Sequence, residues 1–277
     1  MKKSILGLIC AVAICTLMGT SAQASLVGPG SGIQVYMNFD NNIDVQAGSR
    51  TATAFKGLST APDYNVTPRY TSAGKFGQAV DFQNSSSGGV DDWAITLGSL
   101  NSVWYWNWVD WTFSLWVKSP TPTTHSDRSF FGWQDYTSGG NTGISTTWYY
   151  NRTISIGSYG ARGTVNMMPT VGNGDWHMIT LVASFGANTL TSYLDGAYWA
   201  TNSFGNGLGS SGYDTLIGAS GLGKYGAVSQ IDDLGIWARQ LTPTEIAQIY
   251  NGPIIPEPAT MSLLAIGGIG ALIRRRK

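Results

Sequence analysis

The most constraining feature of this chain is a succession of short segments of alternating apolar and polar residues, separated by clusters of Gly, Asn, Asp and Ser. Such alternation is typical of β-strands with one face towards a core. Trp111–Lys118 places large apolar residues at every second position, and Trp176–Ser184 is apolar on both faces. The second pattern predicts a central strand covered on both sides. The whole pattern predicts an all-β fold, a two-sheet antiparallel sandwich.

Two local signals add detail to this fold. Asp195-Gly196 separates two β-prone runs, residues 191–194 and 197–200, and predicts a tight hairpin with positive φ at both turn residues. Residues 242–245, Thr-Pro-Thr-Glu, form a capping box with proline at the first helical position, and Asn-Gly at 251–252 ends the segment. We therefore expect one short helix, packed on the sheet through the apolar side chains Ile246, Ile249 and Tyr250.

Composition and charge exclude several classes of protein. Only 12% of residues are charged, whereas the chain has 36 Gly, 11 Trp and 13 Tyr, unlike a helical bundle or coiled coil. Basic and acidic residues both number 16, so the formal net charge is zero and no nucleic-acid partner is expected. Six of the 16 basic residues lie at the two ends, but only one of the 16 acidic residues does. The interior is therefore acidic, and its acids are almost all Asp, which favours turns, caps and cation binding.

The N-terminal residues 1–24 have the pattern of a cleaved secretory signal peptide. Lys2 and Lys3 precede an apolar run, and Ala22-Gln23-Ala24 provides a small-x-small cleavage site. Both cysteines of the chain, at positions 10 and 15, lie inside this segment. We therefore expect a mature protein without thiol catalysis, disulfides or cysteine-ligated zinc.

The C-terminal residues 253–277 have three parts: Pro256, Glu257 and Pro258, then an apolar run over 259–273, and finally Arg274, Arg275, Arg276 and Lys277. The apolar run is short for a bilayer span, and the basic cluster would stay cytoplasmic. This combination resembles the PEP-CTERM sorting signal of Gram-negative bacteria. The resemblance implies export across the inner membrane, transient anchoring by a transmembrane helix, processing by an exosortase, and delivery to the cell surface or exopolysaccharide matrix.

Between these ends, residues 25–252 are expected to form one domain. Five of its segments follow one another in a distinctive order: GKFGQAVDF (74–82), WTFSLWVK (111–118), GDWHMITLVAS (174–184), SYLDGAYWA (192–200) and QIDDLGIWARQLTPTEIAQIYNG (230–252). Together they resemble the laminin G-like family of concanavalin A-like jelly rolls. The resemblance implies a jelly roll of about a dozen strands that binds carbohydrate or protein and often carries one calcium ion.

Four aspartates are candidate ligands for that calcium. Asp40 and Asp44 lie near the start of the domain and Asp232 and Asp233 near its end, and the first and last strands of a jelly roll usually neighbour each other. In the resembled family an acidic residue from each region often holds the ion, and carboxylate oxygens suit Ca²⁺. The alternative is structural: these side chains cap turns, pair with Arg239 or accept bonds from backbone amides.

Aromatic residues form a second candidate site. Trp104, Trp106 and Trp108 alternate onto one face of a predicted strand, with Asn107 and Asp110 nearby. Exposed rings stack on the apolar faces of sugars while amides and carboxylates bind hydroxyls, so the row is a candidate glycan platform. Packing of these rings in the core is the alternative.

The sequence gives little support for catalysis. Glycoside hydrolases need two carboxylates that flank the scissile bond, and Glu245, the single Glu of the interior, is assigned to the helix cap. The adjacent pairs Asp91-Asp92 and Asp232-Asp233 would point to opposite faces of their strands. His177 is interpreted as a packed or supporting histidine, and His125 has no Ser or Cys partner.

We therefore expect a secreted, non-catalytic module that binds a polysaccharide or surface glycan. The alternatives are a structural or protein-binding surface component without a sugar site and, third, a glycoside hydrolase. The expected partners are the glycan, the exosortase and, transiently, the membrane.

Overall fold

The protein is a two-sheet antiparallel β-sandwich in the computed structural model, as the alternation of residues predicted. The structure describes residues 32–48, 50–56, 63–84, 93–98, 109–119, 128–132, 145–148, 154–157, 165–167, 169–203, 214–219 and 227–254. The strands within them are β1 Ile33–Met37, β2 Thr53–Lys56, β3 Tyr70–Thr71, β4 Ala79–Gln83, β5 Trp93–Thr96, β6 Trp111–Lys118, β7 Arg128–Gly132, β8 Ser145–Trp148, β9 Ile154–Gly157, β10 Val165–Met167, β11 Trp176–Ser184, β12 Thr189–Leu194, β13 Ala197–Ser203, β14 Leu216–Ile217 and β15 Val228–Trp237. A 3-10 helix covers Pro169–Gly172, and the helix α1 covers Pro243–Asn251.

The two sheets bring the beginning and the end of the domain together. The first sheet has eight strands in the order β13-β12-β11-β6-β15-β4-β3, with β1 also paired to β15. The second has seven, in the order β10-β9-β8-β7-β14-β5-β2. Strand β15 pairs with β6 along one edge, while β4 and β1 share its other edge, at opposite ends. The closing strand therefore lies beside the opening strand, as the jelly-roll resemblance implied.

The main core lies between the sheets and follows the predicted alternation. In β6 the inward side chains are Trp111, Phe113, Leu115 and Val117, all fully buried. The neighbouring strand β11 contributes Ile179, Leu181 and Ala183 to the same core. Burying large side chains of this kind stabilises the fold by roughly 1.5 to 3 kcal/mol each.

The outer face of the first sheet is covered by α1, so β11 is apolar on both faces. Met178 and Val182 of β11 and Trp116 of β6 belong to a second buried cluster with Ile246 and Ile249 of the helix. The ring of Trp116 stacks on Tyr250, with centroids 5.4 Å apart. The predicted short helix packed on the sheet is thus confirmed.

The local signals read from the sequence are confirmed in their geometry. The Thr242 side chain accepts a bond from the Glu245 N–H while the Glu245 side chain returns to the Thr242 backbone, which completes the capping box. Between β12 and β13, φ is 50° at Asp195 and 77° at Gly196. Positive φ at both positions is what a two-residue hairpin of this twist requires.

Candidate functional site

The acidic candidate site is built around a turn formed by residues 74–78, directly before β4. The turn closes by a backbone bond from the Gly74 N–H to the Gly77 carbonyl, 3.1 Å. Asp40 Oδ1 accepts a hydrogen bond from the Gln78 N–H at 2.7 Å. Asp232 Oδ2 accepts from two consecutive N–H groups of the turn at 2.7 and 2.9 Å. The turn is therefore held between a carboxylate that follows β1 and a carboxylate within β15.

The next residue, Asp233, binds a different part of the molecule. Its φ is +48°, and the register between β15 and β6 shifts between Asp232 and Gly235. Its Oδ1 accepts a bond from the Tyr36 hydroxyl at 2.7 Å, and its Oδ2 accepts from the Ile254 N–H at 2.9 Å. This carboxylate thus ties the segment after α1 to the opening strand.

Burial dominates the electrostatics of this pair. Asp232 is 0% exposed and Asp233 is 1% exposed. Burial raises the pKa of Asp232 to about 7, against the lowering effect of the turn N–H groups. Burial likewise raises the pKa of Asp233 to about 6, against the hydrogen bonds from Tyr36 and Ile254. The pKa of the Tyr36 hydroxyl is raised well above its usual value, by burial first and by the neighbouring Asp233 charge second.

The structure brings part of the predicted acidic constellation together. Asp40 and Asp232 meet at the 74–78 turn. Asp44 is exposed and lies beside Tyr70. The pKa of Tyr70 is raised by burial first and by the charge of Asp44 second. Backbone amides donate to both Asp40 and Asp232, as the structural alternative proposed, and the Asn38 side-chain amide also donates to Asp40 at 3.0 Å. Arg239, the other partner which that alternative offered, binds Glu245 at 2.6 Å.

Two oxygens at this turn have no donor within the described part of the chain. Asp232 Oδ1 and Gln78 Oε1 are both buried and accept no hydrogen bond there. Within the same residues, no group of three or more His, Cys, Asp or Glu side chains is arranged to hold a metal ion. A cation at this turn would therefore depend on mixed oxygen donors, which is the ligand chemistry of calcium and not of zinc.

The aromatic candidate row lies outside the described residues. This applies to Trp104, Trp106, Trp108 and Asn107. The Asp91-Asp92 pair and His125 are outside them as well, as are residues 1–24 and the sorting residues Pro256, Glu257, Pro258, Arg274, Arg275 and Arg276. Among the described residues, no helix is long and apolar enough to cross a membrane.

The described part of the molecule has a different exposed aromatic pair, Tyr198 and Trp199 of β13, here called the β13 platform. Tyr198 is 62% exposed and Trp199 is 44% exposed. Strand β13 is the edge of the first sheet, and its register with β12 shifts because Ser192 faces Ala200 while Tyr193 faces Tyr198. Trp199 is therefore the extra residue of a β-bulge. Bulges re-aim side chains, and this one leaves two consecutive rings in solvent where strict alternation would bury one.

The Tyr198 ring of the platform is supported by a buried side chain of the neighbouring strand β12. The Tyr198 ring packs edge-on against the buried Tyr193, with centroids 6.1 Å apart and planes at 86°. Sequence reasoning predicted this strand but missed the platform, because a period-2 pattern does not reveal a bulge. The available signal was the Tyr-Trp pair directly after an Asp-Gly turn, which marks an edge hairpin.

His177 supports the same hairpin. Its Nδ1 lies 2.7 Å from Asp195 Oδ2, and its Nε2 lies 3.2 Å from Asn173 Oδ1. The other Asp195 oxygen, Oδ1, accepts a bond from the Met178 N–H at 2.9 Å. The side chain thus fixes the β12–β13 turn against β11, in line with the supporting role expected from the sequence.

Comparison with solved structures finds the same fold in other proteins at low sequence identity. Domain 4 of AbnA, a GH43 extracellular arabinanase from Geobacillus stearothermophilus, solved in complex with arabinotriose, has 18% identity and a TM-score of 0.56, and the match covers 79% of this chain and 98% of that one. The binding domain of botulinum neurotoxin DC in complex with SialylT has 15% identity and a TM-score of 0.57, covering 80% and 52%. A botulinum neurotoxin type C structure, concerned with cell entry through two ganglioside molecules, has 16% identity and a TM-score of 0.59, covering 83% and 52%.

At these identities the likeness concerns the fold alone, and the chain spans about half the length of the toxin domains. A search of curated protein sequences gave no match. A model of the concanavalin A-like lectin/glucanases superfamily matches residues 87–247, more than half of the chain. The PEP-CTERM protein-sorting motif matches residues 255–277, which points to export to the cell envelope or extracellular space of a Gram-negative bacterium. The chain belongs to the concanavalin A-like lectin/glucanases superfamily and carries a PEP-CTERM sorting motif behind its sandwich domain.

Proposed function

We propose that this protein is a secreted, non-catalytic glycan-binding module, displayed on the cell surface or in the exopolysaccharide matrix. The predicted signal peptide and the sorting motif supply the export route, with exosortase processing near Pro256 and Pro258. The fold is one on which related proteins bind sugars. Many copies in a matrix would give avidity from weak single sites.

The observation that carries the glycan-binding proposal is the β13 platform. Two rings in solvent on an edge strand expose apolar surface that a folded protein usually buries. Flat rings of this kind bind the apolar faces of sugar rings, while the phenol and indole polar groups bind hydroxyls. Tyr193 beneath the platform fixes the orientation of Tyr198, which lowers the entropy lost on binding.

The geometry of the described carboxylates supports a binding role over hydrolysis. A glycosidase needs one acid and one base or nucleophile on either side of the scissile bond. Glu245 is held by Arg239 and by the helix cap. Asp232 and Asp233 are buried and bind separate elements of the protein.

A glycan array tests the proposal. The full chain, Tyr198→Ala and Trp199→Ala would be labelled and compared on neutral and acidic glycans, with Tyr64→Ala as the matched control. Tyr64 is 59% exposed but lies next to Phe55 in the second sheet, so its loss should leave binding unchanged. We expect each platform substitution to weaken binding about tenfold. An array on which the folded protein binds nothing, or on which Trp199→Ala equals the wild type, would reject the platform.

The predicted tryptophan row remains a second part of this proposal. Trp106→Ala would be tested on the same array. If Trp106→Ala abolishes binding and Trp199→Ala does not, the glycan binds to the row formed by Trp104, Trp106, Trp108 and Asn107. Retention of binding in Trp106→Ala would leave these rings with a packing role.

Calcium at the 74–78 turn is also part of the proposal. Asp232 Oδ1 and Gln78 Oε1 are buried oxygens that lack donors among the described residues, and the Asp40 carboxylate lies at the same turn. A bound calcium ion would supply positive charge beside the buried carboxylates. The chain's own contribution is to hold the turn rigid through the N–H groups bound by Asp40 and Asp232.

Thermal melting with and without calcium chloride tests this part. We expect calcium to raise the melting temperature of the wild type and of the control Asp63→Asn, whose carboxylate pairs with Lys56 in the second sheet. Asp232→Asn should lose the response. A wild-type melting temperature that calcium does not change, together with no heat in a calorimetric titration, would contradict it.

One observation favours the second candidate function, a protein-binding surface component. Strand β13 pairs with β12 only, among the described strands, so its other edge has no strand hydrogen-bonded to it there, and an added strand could bind to it. In that case Trp199→Ala would change self-association in sedimentation velocity and leave the glycan array silent in every variant.

A further inference from the structure

A second candidate site lies on the outer face of the first sheet, several strands away from the β13 platform. It is a cleft of about 270 Å³ across the ends of β4, β15 and β6. The lining residues are Asp81, Phe82, Gln83, Lys118, Gly174, Val228, Ser229 and Gln230. A cleft of this size is below the usual range for drug-sized ligands and suits a single sugar ring.

The polar wall of the cleft is a row across three strands, and the same register continues to Trp176 of β11, which is not a lining residue. Asp81 of β4 lies directly opposite Gln230 of β15, Gln230 lies opposite Lys118 of β6, and Lys118 lies opposite Trp176 of β11. Residues in direct register share one face of a sheet, about 5 Å apart at their Cβ atoms. The face is the outer one, because Trp176 packs with the outer cluster under α1. One carboxylate, one amide, one ammonium and one indole therefore stand in line.

This row has two unmet interactions. Gln230 Oε1 is buried and accepts no hydrogen bond from any described residue. The half-buried Lys118 makes no ion pair with the described carboxylates, whereas Asp81 already accepts a bond from the Gln83 amide at 2.8 Å. A buried acceptor without a donor costs about 1 to 3 kcal/mol, and a hydroxyl of a bound ligand would remove this cost.

The unmet interactions specify the chemistry of the ligand. Lys118 requires an anionic group, and Gln230 Oε1 requires a hydroxyl donor. Asp81, two strands from Lys118, would repel a doubly charged group such as a phosphate monoester. A singly charged carboxylate on a hydroxylated ring supplies the anion for Lys118 and the donor for Gln230, with weaker repulsion from Asp81 than a phosphate monoester would meet.

We infer that this cleft binds a hexuronate residue of an acidic polysaccharide, with Lys118 on its carboxylate and Gln230 on a ring hydroxyl. The inference rests on the proposed glycan-binding function and names the sugar class at a site distinct from the β13 platform. The matrix to which the sorting motif directs the protein would then be held through its acidic sugars.

Calorimetric titration of the full chain in detergent solution with digalacturonate tests the inference, with the dimethyl ester of digalacturonate as the uncharged probe of equal shape. We expect the wild type to bind the acid and to bind the ester about tenfold more weakly. Lys118→Met should bind the acid about tenfold more weakly and lose the preference over the ester. The matched control is Lys56→Met, at a lysine of the second sheet whose side chain is 38% exposed. This variant should retain both the affinity for the acid and the preference for the acid over the ester.

Gln230→Leu separates binding from folding. This substitution removes a buried oxygen without a donor, so its melting temperature should equal or exceed that of the wild type, while its affinity for digalacturonate falls about tenfold. A lower melting temperature with unchanged affinity would show a purely structural residue and overturn the assignment.

The outcomes also distinguish this inference from the proposed function. Array binding that depends on Trp199, combined with no digalacturonate heat or with equal affinity for acid and ester, rejects the hexuronate cleft alone. A silent array combined with Lys118-dependent digalacturonate binding rejects the β13 platform and keeps the cleft. Silence in both experiments rejects both.

Discussion

At the scale of single residues, neighbours in the sequence serve separate parts of the molecule. Asp232 binds the turn before β4, and Asp233, one residue later, binds Tyr36 and Ile254. The positive φ of Asp233 and the shifted register around it separate the two carboxylates. The Asp-Asp pair was recognised in the sequence as a candidate for chemistry. Which carboxylate contacts which element depends on a bulge that the sequence pattern does not reveal.

Gly218 shows how one residue can be fixed by its surroundings. Its φ is +85°, and a Cβ at this position would overlap the ring of Phe82. We expect Gly218→Ala to lower the free energy of unfolding by about 3 to 5 kcal/mol, from a left-handed backbone strain and from overpacking against a core ring. Urea denaturation measures this change.

Gly174 provides the matched control for that prediction. Its φ is +90°, but among the described residues no atom outside its immediate chain neighbours lies within 4 Å of a Cβ built there. Gly174→Ala should therefore show the backbone strain alone, about 1 kcal/mol. Equal losses in the two variants would show that the Phe82 contact contributes nothing.

At the scale of elements, α1 is specified by local sequence. Its apolar side chains pack on the sheet, and its Glu245 forms an ion pair with Arg239. Its capping box and its apolar stripe are both present as predicted. The Arg239 guanidinium is the largest cause that lowers the pKa of Glu245 from 4.5 to about 2. The sequence offered Arg239 as one possible partner of the aspartates, and the turn into α1 brings it to Glu245.

This ion pair predicts a pH dependence of stability. The pKa of Glu245 is lower in the folded state, so its stabilisation is complete above pH 4.5 and is lost as pH falls towards 2. At pH 7, Glu245→Gln should lower the free energy of unfolding by about 1 kcal/mol. Thermal melting from pH 7 to pH 2 should show the two proteins converging. Asp175→Asn, at an exposed site, is the control, and a constant gap between Glu245→Gln and the wild type at all pH values would refute the assignment.

At the scale of the whole molecule, Asn84 joins the two sheets. It follows β4 in the first sheet, and its side chain bonds both backbone groups of Trp93 in β5 of the second sheet, at 3.0 Å to the N–H and 2.8 Å to the carbonyl. Its amide also reaches the Gly218 carbonyl at 3.3 Å. One buried amide thus satisfies backbone groups at the boundary between the layers.

Asn84→Ala should therefore destabilise the domain by about 2 to 4 kcal/mol, since it leaves buried backbone groups of Trp93 without partners. Chemical denaturation of this variant and of the exposed control Asn65→Ala measures the difference. A loss below about 0.5 kcal/mol, the usual effect of a surface substitution, would show that the two layers do not depend on this residue.

The segment after α1 is also packed into the sandwich domain. Ile254 is 2% exposed, packs in the cluster under the helix and donates its N–H to Asp233. We expect Ile254→Ala to lower the free energy of unfolding by about 2 to 4 kcal/mol in a denaturation experiment. Val109→Ala, at a site 37% exposed, is the control and should change stability little. An equally small change in Ile254→Ala would mean that the sandwich ends before this residue.

The sequence by itself determined the strands of the core, the hairpin turn, the capped helix and the sorting segment, because each depends on residues close together in the chain. Alternation, positive-φ turn residues and capping pairs are local physics. Three arrangements were decided by the tertiary structure alone. Asp40 and Asp232 bind the backbone of one turn, and a bulge exposes Tyr198 and Trp199. Four residues of neighbouring strands lie in register on one face of the first sheet: Asp81, Gln230, Lys118 and Trp176. These arrangements depend on register between strands far apart in sequence, and a shift of one residue moves a side chain to the other face of the sheet.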